Sequence, residues 1–171
     1  MSSVAGKITP DVSARDRAAA IELEGFLPYR LNVLATLVSQ SLAKVYGDRF
    51  GISIPEWRVL ATLGQFREKT AREIGLHSHM HKTTVSRAVA ALAERNLIAR
   101  RPNREDMREA FLTMTPKGQA IYLEIVPLAR AFAEQLSEGL SRDELQVLDG
   151  LISRLMGKVA HLEGGNGIEN T

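Results

Sequence analysis

Apolar residues recur at three- and four-residue intervals over most of the chain, a periodicity that predicts helices. A long helix is predicted over residues 28–49, and its single apolar stripe is made by Leu31, Leu34, Val38, Leu42 and Val45. The same periodicity predicts helices over residues 116–139 and 142–162. A shorter helix is expected over residues 13–24, after a loose arm, with Gly25 at its end.

Several helix starts are marked by a Ser or Thr followed three residues later by Glu, a pair that caps the first backbone amides. Three such pairs occur in the chain: Ser53 with Glu56, Thr70 with Glu73, and Ser141 with Glu144. The first two predict short helices that end near Phe66 and Leu76. After a turn at residues 77–81, another helix is predicted over residues 82–95, with Asn96 as a left-handed cap.

The pattern changes to short strand-like runs in the following stretch. Residues 97–101 and 110–114 are rich in apolar side chains, and the segment between them is polar. This arrangement predicts a β-hairpin with a long charged tip. Two short helices joined by a tight turn and followed by a hairpin form a winged helix-turn-helix. We therefore expect a mainly α-helical fold with a small β-hairpin wing.

The predicted elements fall into four regions. These are an N-terminal arm and short helix at residues 1–27, a helical dimerisation region at residues 28–50 and 116–162, a winged helix-turn-helix DNA-binding lobe at residues 53–114, and a flexible tail at residues 163–171. The dimerisation region is inferred from apolar stripes that a small winged helix could not cover; packing within one monomer is the alternative. In the last helix the stripe is made by Leu145, Leu148, Leu151, Ile152, Leu155 and Met156.

The composition excludes several classes of site. The 171-residue chain is 25% charged and 44% apolar, as expected for a folded domain, and it has no cysteine. Disulfides, thiolate metal ligands and cysteine nucleophiles are therefore excluded. No stretch resembles a membrane span or a signal peptide, so we expect a cytoplasmic protein without a membrane partner. No glycine-rich phosphate loop or nucleophile elbow indicates an enzyme, and no cofactor is expected.

Positive charge is concentrated around the predicted helix-turn-helix. The whole chain has 22 Lys and Arg against 20 Asp and Glu, a net charge of +2. Residues 82–108 have seven Lys or Arg against three acids, an excess of 7 − 3 = +4, so the rest of the chain sums to 2 − 4 = −2. This distribution favours double-stranded DNA as a partner, and an ordinary solvated surface is the alternative.

Two groups of side chains are candidate DNA contacts. Hydroxyls and long cations on the outer side of the second helix could reach base edges and phosphates in a major groove: Lys82, Thr83, Thr84, Ser86 and Arg87. At the hairpin tip, Arg104 and Arg108 could enter the minor groove. Asp106 could orient Arg108 by accepting a hydrogen bond from its guanidinium. The alternative interpretation is that the charged residues at the tip form an ordinary exposed salt bridge.

Four segments carry a resemblance to a known family. They are residues 70–92 (TAREIGLHSHMHKTTVSRAVAAL), the LIARR run at 97–101, Asp106-Met107-Arg108, and residues 112–118 (LTMTPKG). In these segments the chain resembles the MarR family of bacterial transcriptional regulators, over residues 27–162. The resemblance implies a homodimer with intertwined first and last helices, and one winged helix per subunit on a pseudo-palindromic operator. One departure is His81, where the family often has an acidic or small capping residue.

The same resemblance implies a small-molecule effector, because family members commonly bind an acidic aromatic or other small ligand between the dimerisation helices and the DNA-binding lobe. The candidate ligand-binding residues are Tyr29, Arg30, Trp57 and Arg58. Core packing is the alternative for Trp57, and a structural or phosphate-contact role is the alternative for either arginine. Residues 26–31 (FLPYRL) are similar to the subgroup that controls breakdown of hydroxycinnamates and related aromatic acids, and some of those regulators respond to the aryl-CoA thioester.

We therefore predict a ligand-responsive, sequence-specific DNA-binding repressor. It is expected to act as a homodimer in aromatic-compound catabolism and to be released from its operator by an aromatic acid or its CoA thioester. One alternative is a winged-helix module for protein contacts. Another is a metal-responsive regulator that uses His77, His79 and His81, whose alternate spacing is poor for zinc.

Overall fold

The computed structural model describes residues 21–103 and 109–165. Its elements, in chain order, are helices α1 (Leu27–Phe50) and α2 (Ile54–Phe66), strand β1 (Glu68–Thr70), helices α3 (Ala71–Ser78) and α4 (Lys82–Glu94), strands β2 (Ile98–Pro102) and β3 (Ala110–Met114), and helices α5 (Pro116–Leu136) and α6 (Arg142–Gly165). The chain divides into two units, with the boundary after Ser41. The predicted fold class, mainly helical with a small β wing, is confirmed.

The three strands form an antiparallel sheet in the order β1–β3–β2. The predicted hairpin pairs Ile98 with Met114 and Pro102 with Ala110. The sequence pattern does not predict β1, because its three residues are too few to show an alternation. β1 forms by pairing with the other edge of β3, where Glu68 lies opposite Thr113. The wing is therefore anchored to the chain segment that precedes α3.

All three predicted capping pairs form. Ser53 Oγ accepts from the Glu56 N–H at 3.4 Å, and the Glu56 carboxylate accepts from the Ser53 N–H at 2.7 Å. The same reciprocal bonds join Thr70 with Glu73 and Ser141 with Glu144. Each pair provides hydrogen-bond acceptors for two backbone N–H groups that have no acceptor within the helix. The pairs therefore fix where α2, α3 and α6 begin. Asn96 has the predicted left-handed conformation, with φ of 56°.

The prediction of a short helix over residues 13–24 is wrong for residues 21–24, the part that the structure describes. Residues 21–26 are not helical; residues 23–25 form a turn, in which the Gly25 N–H donates to the Glu22 carbonyl at 3.1 Å. These residues are exposed, and without a surface to pack on a single turn is too short to be stable as a helix. Residues 13–20 lie outside the described residues.

Three other boundaries differ from prediction by two or three residues. α3 continues through Ser78, so the turn before α4 is shorter than expected. α5 ends at Leu136, three residues before Gly139, and the Ser137 hydroxyl that follows it donates at 3.0 Å to the Ala133 and Glu134 carbonyls of the last turn. α6 runs through Gly165, so the first residues of the expected tail are helical. Residues 166–171 lie outside the described part.

The hydrophobic core lies in the second unit, where α2 and α4 pack together against the sheet. Its fully buried aliphatic side chains include Val59, Leu60, Leu63, Ile74, Val85, Leu92, Leu97, Leu112 and Ile125. α6 contributes no buried side chain from its described residues. No helix in residues 21–103 or 109–165 is long and apolar enough to cross a membrane.

Candidate nucleic-acid interface

A tight turn fixes the orientation of α4, the second helix of the helix-turn-helix. His79 ends α3 in a left-handed conformation, with φ of 50°. The Met80 N–H then donates to the Gly75 carbonyl at 3.0 Å, which closes the turn. The inner face of α4 is buried in the core through Val85, Ala88, Val89 and Leu92. One face of α4 is therefore immobilised and the opposite face is left in solvent.

The outward face of α4 carries the side chains that the sequence proposes as major-groove contacts. Lys82, Thr83, Ser86 and Arg87 are exposed, and Thr84 is half-buried. They form a surface of hydroxyls and two cations at the N-terminal half of the helix. Such a surface can donate to phosphates and to the acceptor edges of bases.

His81 occupies the N-cap position of α4 without capping it. Its side chain makes no hydrogen bond to the first backbone amides, and its Nδ1 lies 3.1 Å from Thr83 Oγ1. The first turn of α4 contains no acidic residue. The positive end of the helix dipole is therefore not offset by a local carboxylate, which suits a bound phosphate.

The predicted minor-groove residues Arg104, Asp106 and Arg108 lie outside the described residues. The hairpin that carries them is defined up to Asn103 and from Glu109, where the Asn103 N–H donates to the Glu109 carbonyl at 3.4 Å. The structure therefore defines the base of the hairpin on both strands.

Arg101, at the base of the wing, is engaged in an ion pair that the sequence pattern does not reveal. Its Nη2 and Nε donate to the two carboxylate oxygens of Glu68 at 2.7 and 3.2 Å. Its guanidinium also lies 4.8 Å from the centre of the Phe111 ring. The hydrogen bonds that Arg101 donates to the Glu68 carboxylate raise the pKa of Arg101. Because Glu68 lies on the unpredicted strand β1, this neutralised charge could not be recognised from the sequence.

Trp57, a candidate ligand wall, packs against two tyrosine rings, stacked on Tyr122 and tilted against Tyr46. The ring centroid of Trp57 lies 5.4 Å from that of Tyr46 and 5.9 Å from that of Tyr122. The Tyr122 ring lies directly over Gly64, where a Cβ would overlap it. Burial raises the pKa of Tyr46 to about 12, an effect that the charge of Arg58 partly opposes. The contacts of Trp57 with Tyr46 and Tyr122 favour core packing, the alternative to ligand binding for this residue.

Arg58, the neighbouring candidate, is exposed on α2. It lines an open cavity of about 240 Å³ between α2 and α3, together with Ala61, Thr62, Gln65, His77 and Ser78. The other two candidates, Tyr29 and Arg30, are exposed on α1 in the first unit. A guanidinium beside hydroxyl and amide groups is suited to a small anion.

The three histidines considered as metal ligands make separate local contacts. His77 packs edge-on against Phe66, with ring centroids 4.8 Å apart and an interplanar angle of 87°. His79 forms the turn after α3, and His81 lies beside Thr83. Among the residues that the structure describes, no three His, Asp or Glu side chains come together as a metal site.

Comparison with known proteins gives three kinds of match. The MarR family model matches residues 50–109. An uncharacterised HTH-type transcriptional regulator of Staphylococcus aureus is 29% identical over 109 residues, which cover 61% of this chain and 73% of that protein. A MarR/EmrR family transcriptional regulator of Acinetobacter sp. ADP1 has a TM-score of 0.76 at 27% identity, over 82% of this chain and 99% of that one.

A further structural match is a protein whose DNA binding is regulated by a small molecule. Bordetella bronchiseptica BpsR, whose DNA binding is regulated by 6-hydroxynicotinic acid, has a TM-score of 0.63 at 20% identity, over 74% of this chain and 98% of that one. At this identity the likeness concerns the fold. The structural similarity thus extends well beyond the matched residues 50–109.

Proposed function

We propose that this chain is a winged-helix transcriptional regulator of the MarR type, that it binds a pseudo-palindromic DNA operator as a homodimer, and that a small molecule releases it from the operator. The observation that carries the proposal is the outward face of α4. Its exposed cations and hydroxyls lie opposite a face that is fixed in the core, next to an antiparallel wing. In a winged helix this is the surface that enters the major groove.

We assign the DNA contacts to two sets of residues. On α4 they are Lys82, Thr83, Thr84, Ser86 and Arg87; at the wing tip they are Arg104 and Arg108, with Asp106 orienting Arg108. Support for the first set comes from exposure, since four of its five side chains are exposed and Thr84 is half-buried. Support for the second set comes from the resemblance and from the charge of the tip.

The dimer is supported by the apolar surface of α6. Seven large apolar side chains between residues 147 and 159 are at least 38% exposed, namely Val147, Leu148, Leu151, Ile152, Leu155, Met156 and Val159. In the first unit, α1 also exposes Leu27, Leu31, Leu34 and Leu37. A continuous apolar helix face of this length requires a partner, and a second copy of the chain supplies the same face by symmetry.

We infer that the effector is an aromatic acid or its CoA thioester and that the regulated process is breakdown of aromatic compounds. Support comes from the FLPYRL run and from the fold shared with BpsR. Of the proposed ligand residues Tyr29, Arg30, Trp57 and Arg58, Arg58 is exposed beside a cavity, whereas Trp57 already packs on two tyrosines. The bound ligand would favour a separation of the two lobes that does not match successive half-sites, so that operator affinity falls.

A gel-shift titration on the DNA upstream of the chain's own gene tests this function. We expect tight binding that weakens as salt rises, since phosphate contacts release counterions. Addition of an aromatic acid or its CoA thioester should release the DNA, and comparison of the two identifies the effector class. Absence of specific binding to this DNA and to a pool of genomic fragments would contradict the proposal and favour a winged helix used for protein contacts.

A further inference from the structure

The C-terminal end of α4 is tied to the end of α1 by one side chain. Arg95, the residue that follows α4, donates from Nη1 to the Gly51 carbonyl and from Nη2 to the Phe50 carbonyl, both at 2.7 Å. Its Nη1 also lies 4.0 Å from Oε1 of Glu56. Because the guanidinium is a rigid fork that bridges two successive carbonyls, it fixes direction as well as distance.

The connection between α1 and α2, which Arg95 contacts, is itself held in place. Glu56 is buried, and its other oxygen, Oε2, accepts from the N–H and the hydroxyl of Ser53 at 2.7 and 2.6 Å. Gly51 ends α1 with φ of 60°, a left-handed conformation that favours glycine. Arg95 therefore binds a connection whose conformation is fixed by Gly51 at the end of α1 and by the Ser53–Glu56 cap of α2.

A second set of bonds ties the same segment to the start of α5. Lys117 Nζ donates to the Arg95 carbonyl at 3.1 Å, and Thr115 Oγ1 donates to the Asn96 carbonyl at 2.7 Å. The Thr115 N–H donates to the Leu97 carbonyl at 3.0 Å. Residues 95–97 are thus bonded to α1 on one side and to α5 on the other.

We propose that Arg95 is a positioning residue for operator binding: by bridging the Phe50 and Gly51 carbonyls it holds α4 at a fixed place relative to the end of α1. The operator part of this proposal rests on the proposed function. Arg95 is separated from Arg87 by about 12 Å along the axis of α4, at a rise of 1.5 Å per helical residue. It acts on DNA through the position of α4 and contacts no base. Since a dimer reads two half-sites at a fixed separation, a displaced α4 changes the spacing that the dimer accepts.

The first test measures the position of α4 in the free protein. Because the chain has no cysteine, spin labels can be attached at Asp48→Cys on α1 and Ala90→Cys on α4, two exposed positions. Doubly labelled chains are diluted in unlabelled chain, so that pulsed EPR records intramolecular distances. Arg95→Ala should broaden the distance distribution by about 1–2 Å, and Arg95→Lys should broaden it less. The exposed Arg130→Ala is the charge-matched control and should leave it unchanged. Equal widths for wild type and Arg95→Ala overturn the proposal.

The second test measures half-site spacing. A duplex selected by the wild-type protein from a random-sequence pool is altered by one base pair inserted or deleted between its half-sites. Arg95→Ala should bind the selected duplex about 3- to 10-fold more weakly and should distinguish less between spacings, and Arg95→Lys should recover part of both. A merely structural role would lower thermal stability and leave spacing discrimination of the folded protein intact.

The two tests separate failure of the inference from failure of the proposed function. Equal spacing discrimination by wild type and Arg95→Ala overturns the role of Arg95 in operator binding. If the wild-type protein selects no duplex, the proposed function fails together with the operator part of the inference. The EPR distances then still decide whether Arg95 holds α4.

Discussion

Gly118 lies in direct backbone contact with Leu97, so closely that a β-carbon on Gly118 would overlap the Leu97 carbonyl group. The Thr115 N–H donates to that same carbonyl at 3.0 Å. The start of α5 therefore packs on the residue that precedes β2, and no side chain fits between them. This contact joins the winged helix to the helices that we propose for dimerisation.

Gly118→Ala is expected to destabilise the protein by about 2–4 kcal/mol, because the added methyl group must displace backbone rather than a flexible side chain. Urea unfolding at a fixed protein concentration measures this change. Gly150→Ala is the matched control: Gly150 is also helical, has no atom near its missing Cβ, and should change stability by less than about 1 kcal/mol. Equal unfolding midpoints for the two variants would contradict the close contact.

Stability should fall at alkaline pH because of Tyr46. Burial raises the pKa of its hydroxyl from 10.0 to about 12. The unfolded chain therefore releases this proton at a lower pH than the folded protein does, and the stability that the neutral phenol contributes is complete below pH 10 and is lost between pH 10 and 12. Tyr46→Phe should remove a loss on the order of 1–2 kcal/mol over this interval. Parallel pH dependences for wild type and Tyr46→Phe would show that the phenol is not responsible.

Charges placed on the apolar face of α6 should separate the dimer. Leu151→Glu combined with Leu155→Glu puts two carboxylates on the exposed stripe, where burial against a second copy would cost their hydration. Light scattering after gel filtration should give about 38 kDa for wild type, twice the 18.8 kDa chain mass, and the monomer mass for the variant. Ser153→Glu, on the polar side of α6, should remain dimeric. A wild-type mass of one chain would sink the dimer proposal.

Removal of single cations should weaken operator binding. Arg108→Ala is expected to cost about 1–3 kcal/mol of binding free energy if Arg108 enters the minor groove, and Arg87→Ala should also weaken binding through the major groove. Gel-shift affinities at physiological salt measure both. Arg130→Ala, exposed on α5, is the control and should bind like wild type. Unchanged affinity and specificity of Arg87→Ala would remove Arg87 from the interface.

The helix starts, the hairpin and the fold class could be predicted from the sequence because they depend on local interactions. Ser53 and Glu56 are three residues apart and cap the same helix whatever surrounds them. Asn96 takes a left-handed conformation that its short amide side chain tolerates. The outward face of α4 follows in the same way from the apolar positions that face the core.

The contacts that decide how these elements are assembled join residues far apart in the chain, and the sequence alone does not indicate them. Glu68 reaches Arg101 because β1 pairs with β3, although three residues are too short to predict a strand. Arg95 reaches Phe50 across 45 positions, and no periodicity reports such a bond. Local patterns thus determined helices α1 to α6 and the β2–β3 hairpin, but not strand β1. Tertiary packing alone decided which cations are paired with acceptors of the protein, as Arg95 and Arg101 are, because that depends on the groups that folding brings beside them.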